Sequence, residues 1–191
     1  MQSTADRIIE AAIELVSLKG YTAATTKAIA EQAGVNEVTL FRHFGNKRGL
    51  LRAIIQKFSY GPVLRKVVQE KVYWDLEKDL YHFFLEYQAY MMSIKDFVLI
   101  GFKEAGAFPE IDEEIANIPL EIKQELMNYL LEMSRKGKLI DTDVEAVAMA
   151  LIHFNFGHFL SRARLGAKVT QLSTEQILKT NVSIFSRALT P

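Results

Sequence analysis

The sequence predicts an all-α protein: three short helices within residues 1–48, then a larger helical domain over residues 49–191, with about nine helices in total. Three observations predict this. Apolar residues recur at spacings of three and four along most of the chain, as on one face of a helix. Capping signals open the apolar runs, Ser3 through Asp6 at the start and Ser173 through Gln176 near the end. No segment alternates apolar and polar residues in the two-residue period of a strand.

The elements follow in order. Ser3 is placed to accept from the backbone N–H of Asp6, and Ile8, Ile9, Ala12, Leu15 and Val16 form a single stripe behind it. Lys19-Gly20 ends this helix. Thr25 caps a second helix through Lys27, Ile29, Ala30 and Ala33, stopped by Gly34. Asn36 caps a third through Glu37, Thr39, Leu40, Arg42 and His43. The linker is only Gly34-Val35-Asn36, so two helices of about two turns each meet at a glycine turn, the helix-turn-helix arrangement. After Gly45, Asn46 caps a longer helix that buries Leu50, Leu51, Ile54, Ile55 and Phe58, and Gly61-Pro62 breaks or kinks it.

Further along, helices are expected over 79–92, 95–105 and 120–135, the last closed by Gly137. Asp143 caps a strongly apolar helix to about residue 164, and the Ser173 box opens a final one. There is no internal repeat and no low-complexity tract.

The bulk composition narrows the function classes. Half of the 191 residues are apolar (49%) and a quarter charged (24%), as in folded globular chains. With no cysteine, disulfides and thiolate metal sites are excluded. Residues 1–7 lack the apolar run of a signal peptide, and no apolar stretch reaches the roughly 18 residues of a membrane span, so the expected location is the cytoplasm with no membrane partner. Net charge is zero, yet residues 26–58 hold six cations (Lys27, Arg42, Lys47, Arg48, Arg52, Lys57) against Glu31 and Glu37. Such a basic patch suits a dedicated surface for nucleic acid, or it is simply a solvated helical face.

The third helix is short enough to enter a major groove. Ile29, Ala30, Ala33, Val35, Leu40 and Phe44 are expected to seat it. Glu37, Val38, Thr39, Phe41, Arg42 and His43 are left outward, a mixture of hydrogen-bonding, cationic and apolar groups suited to base edges. The helix starts at Thr25 and Asn46 offer backbone N–H groups for phosphate, with Lys27 and Lys47 beside them.

Residues 8–58 resemble the N-terminal domain of the TetR/AcrR family of bacterial regulators. The matching elements are Ile8, Ala11-Ala12, Leu15 and Gly20-Tyr21; Thr25 through Ala30; Ala33 through Asn36; Thr39 through Phe44; and Asn46-Lys47 with Leu50-Leu51. The resemblance implies a DNA-contact set of Thr25, Thr26, Lys27, Asn36, Glu37, Val38, Thr39, Phe41, Arg42, His43 and Lys47. Within it, Thr26 and Lys27 match phosphate or base-edge contacts, Glu37 to Thr39 the base-reading turn, and His43 and Lys47 phosphate contacts. Phe41 stands where the family usually has tyrosine, so that hydroxyl is missing. Glu37 is unusual so near DNA: it either accepts from cytosine N4 or faces away.

The resemblance further implies a ligand-responsive transcriptional regulator, usually a repressor, that binds a palindromic operator on double-stranded DNA as a homodimer. A small, largely apolar effector would release it. The aromatic run from Trp74 to Phe102 reads equally as core or as cavity lining. Its candidate effector residues are Tyr81, Phe84, Tyr87, Tyr90, Phe102, His153 and Phe154, with Glu86 and Asn155 as further polar groups. The helix from Asp143 is apolar on more than one face and needs two partners: its own core, and either a second subunit, which the resemblance implies and Gly157 would let approach closely, or surrounding helices that wrap it completely. The helix from Asn46 would be the lever between sensor and reader.

No catalytic, cofactor or metal site is expected. His43 lacks a nearby serine or carboxylate at a useful spacing, and His153 and His158, five apart, do not share a helix face. The competing reading is a helical ligand-binding or adaptor protein without DNA binding.

Overall fold

The computed structural model describes residues 2–57, 72–104, 106 and 109–191. They form nine α-helices and one 3-10 turn, with no strand among the described residues. The helices are α1 (Thr4–Lys19), α2 (Thr26–Gln32), α3 (Glu37–Phe44), α4 (Lys47–Lys57), α5 (Leu76–Ser93), α6 (Lys95–Glu104), α7 (Pro109–Arg135), α8 (Val144–Leu165) and α9 (Thr174–Leu189). The expected break at Gly61-Pro62, and Phe58 before it, lie outside the described residues.

Contacts divide the chain into two compact units, residues 1–59 with 94–117, and residues 60–93 with 118–191. In the first, α1 presents Ile8, Ala12 and Leu15 to Ile29 and Ala30 of α2, Leu40 of α3, and Leu50 and Ile54 of α4. Phe97 of α6 packs against the same core. The caps form as the sequence predicts. Ser3 accepts from Asp6 N at 3.1 Å, Thr25 from Ala28 N at 3.2 Å, and Asn46 from Gly49 N at 2.8 Å.

In the second unit α5 lies against α8 and α9. Leu80, Phe83, Tyr129, Leu130, Leu151, Phe159 and Leu178 fill its interior. Asp79 is buried there and accepts three hydrogen bonds, from Tyr73 N (2.8 Å), Asp75 N (3.1 Å) and the Tyr129 hydroxyl (2.8 Å). A buried carboxylate needs such partners, because stripping it of water is costly otherwise.

Two expectations are corrected. The helix foreseen over 120–135 begins at Pro109 and runs through Pro119. Pro109 occupies a first-turn position, where no N–H is needed, and the helix tolerates one missing bond at Pro119. Secondly, α8 with the turn after it is long and apolar enough to cross a membrane by length and composition alone. Its buried side, Ala148, Leu151, Ile152, Asn155 and Phe159, packs in the helical bundle.

Candidate nucleic-acid interface

The turn between α2 and α3 requires Gly34, whose φ of 66° lies in the left-handed region. Asn36 then caps α3 by accepting from Val38 N at 2.8 Å. Leu40 is fully buried, and Val35 and Phe44 pack on the same cluster, so the seat is the one the sequence predicts. On the opposite side Val38, Phe41, Arg42 and His43 are exposed, while Glu37 and Thr39 are half-buried. Asn36, Thr25 and Lys27 are exposed and Thr26 and Lys47 half-buried, all within the first unit.

Several of these side chains are already engaged. The Thr26 hydroxyl donates to Glu37 Oε1 at 2.7 Å, tying the start of α2 to the start of α3. Glu37 thus faces α2, which favours the second of its two sequence readings. Lys47 Nζ donates to the carbonyls of Tyr21 (2.6 Å) and Thr22 (3.4 Å) and sits 4.4 Å from the centre of the Tyr21 ring. Burial pulls its pKa below the usual lysine value. The His43 ring leans against Phe44, centroids 5.9 Å apart.

The basic patch is also less free than its count. Lys57 pairs with Asp6 (3.6 Å) and Glu10 (3.7 Å), and Arg48 pairs with Glu113 of α7. Among the described residues Lys27 and Arg42 have no ion pair. Sequence reasoning missed these pairings, which join residues distant in sequence. It also missed Gly49: a Cβ there would overlap the Phe44 carbonyl oxygen, so α4 can pack over the end of α3 only without a side chain.

The candidate effector residues are dispersed. Phe84 and Tyr87 are buried and meet edge to face, 6.3 Å between centroids. Burial pushes the Tyr87 hydroxyl pKa above its ordinary value and that of Tyr90 up to about 12. Tyr81 borders an open groove of about 460 Å³ with Asp75, Glu77, Lys78, Lys179 and Val182. His153 is exposed and Phe154 half-buried on α8, Glu86 is exposed on α5, and Phe102 is exposed in the first unit. Asn155 is buried. Its side-chain nitrogen donates to the Leu151 carbonyl at 2.8 Å, and its own backbone carbonyl accepts from Gln88 at 2.8 Å.

The profile of the family described as "Bacterial regulatory proteins, tetR family" matches residues 8–54. The chain is 36% identical over 193 residues to YvkB of Bacillus subtilis (strain 168), an uncharacterized HTH-type transcriptional regulator, covering 99% of this chain and 98% of that one. Among solved structures, a TetR-family transcriptional regulator from Mesorhizobium loti superposes with a TM-score of 0.79 at 16% identity, over 98% and 97% of the two chains. GusR of Salmonella enterica gives 0.77 at 21% identity, over 96% and 95%. These matches count against an adaptor that lacks DNA binding, and against an enzyme. An exposed arc on a seated, glycine-hinged α3, a family profile over the same residues and a full-length relative agree: the chain belongs to the tetR family of bacterial regulatory proteins, DNA-binding transcriptional regulators.

Proposed function

We propose that the chain acts in the cytoplasm as a homodimeric repressor, binding a palindromic operator and released by a small, largely apolar effector. The observation that carries this reading is the outer arc of α3, which is open to solvent while Leu40 anchors its other side. A dimer would set two such helices about 34–36 Å apart, one turn of duplex.

The reading of a second subunit is supported by α8 and α9. Among the described residues much of the apolar length of α8 is uncovered, with Phe156 and Leu160 only half-buried, and Ile184 of α9 is largely exposed. Uncovered apolar surface of this kind marks an interface. A Cβ on Gly157 would meet open space, leaving room for a partner backbone. An effector would act by binding one state of the dimer more tightly than the other.

The experiment combines a band shift on the gene's own upstream DNA with sedimentation of wild type and Gly157→Arg. The wild type should sediment as a dimer and shift the DNA at low salt. The variant should be monomeric and bind far more weakly. A monomeric wild type that still retards one specific duplex would overturn the dimer reading.

A further inference from the structure

We propose that each operator half-site is read through thymine methyl groups held by Val38 and Phe41, beside a guanine taken by Arg42. This rests on the DNA-binding reading above.

Residues three and four apart on a helix are neighbours, so Val38, Phe41 and Arg42 form one patch. Val38 is 72% exposed and Phe41 41%, high for apolar side chains on a helix otherwise well seated. The only methyl group on a base edge in the major groove is that of thymine, and apolar side chains are its complement.

What the patch lacks is equally informative. Reading adenine N6 or cytosine N4 requires an acceptor. Of the acceptors beside it, two are turned to bonds within the protein, and the His43 ring leans against Phe44, centroids 5.9 Å apart. Glu37 is turned to the Thr26 hydroxyl at 2.7 Å, and the Asn36 side-chain oxygen caps Val38 N at 2.8 Å. Thr39, half-buried at the edge, can bond either kind of base edge and sets no preference. Arg42 offers donors only, and its natural base partner is the O6/N7 pair of guanine. It has no ion pair among the described residues. The surface therefore favours methyls and acceptors over amino groups: thymine with guanine.

The test uses the full-length protein and duplexes selected from a random library. Each thymine of the enriched half-site is then replaced by deoxyuridine, which removes only the methyl. Affinity should fall about fourfold for each methyl in contact. Val38→Ala and Phe41→Ala should each bind thymine and uracil duplexes alike at their own position, with unchanged helical circular dichroism. Enriched half-sites without thymine, or uracil substitution without effect at every position, overturn the proposal and leave DNA binding intact. Enrichment of no duplex at all overturns the DNA-binding reading and this proposal with it.

Discussion

The ammonium of Lys47 bonds to the carbonyls of Tyr21 and Thr22 and lies over the Tyr21 ring, whereas Lys27 is exposed and has no ion pair among the described residues. The two lysines should therefore separate in experiment. Lys47→Met should cost about 1–2 kcal/mol of unfolding free energy, measured by urea titration, since charge-assisted bonds to backbone are lost. Lys27→Ala should leave stability unchanged and reduce the slope of log K against log salt by about 0.9, the effect of one phosphate contact. A stable Lys47→Met would show that the clip to Tyr21 is idle. Gly49→Ala should lower the melting temperature clearly, because its methyl overlaps the Phe44 carbonyl oxygen. Ordinary Gly→Ala in a helix would raise it instead. Sequence shows which residue types stand in the reading head, and Val38, Phe41 and Arg42 emerge exposed as their spacing implies. It does not show which polar groups are spent on each other. Thr26 with Glu37, and Lys47 with Tyr21, meet only after the chain folds back.

At the level of elements, the caps were the most legible feature, because Ser3, Thr25, Asn36, Asn46, Asp143 and Ser173 act within two or three residues of themselves. Helix α7 was the least legible, since Pro119 is a local stop signal that packing overrides. At the meeting of α8 and α9, His158 Nε2 lies 3.3 Å from Thr174 Oγ1. Burial, and then the Arg162 charge, lower the His158 pKa. The unfolded chain therefore takes up this proton first as pH falls. Stability should drop as pH descends through the unfolded value of about 6.5 and level off below the folded pKa. Thermal melts from pH 8 to 5 should show a shallower decline for His158→Gln than for wild type. Parallel curves would remove His158 as a contributor.

For the whole molecule, the fold was readable from the helical period and the family from the punctuated reading head, which lies within the residues 8–54 that the family profile matches. A solved structure with 16% identity still superposes at a TM-score of 0.79, so the fold outlasts identity. The effector site was not readable, because an aromatic such as Phe84 looks the same in sequence whether it fills core or lines a cavity. The proposed recognition requires α3 to lie in the major groove. Dimethyl sulfate footprinting on the operator, which probes guanine N7 in that groove, tests this most directly. Protection should fall in two clusters on one face of the duplex, about 10 base pairs apart, and vanish from both when Arg42 is changed to alanine. Full guanine reactivity under a retarded, saturated complex would contradict it.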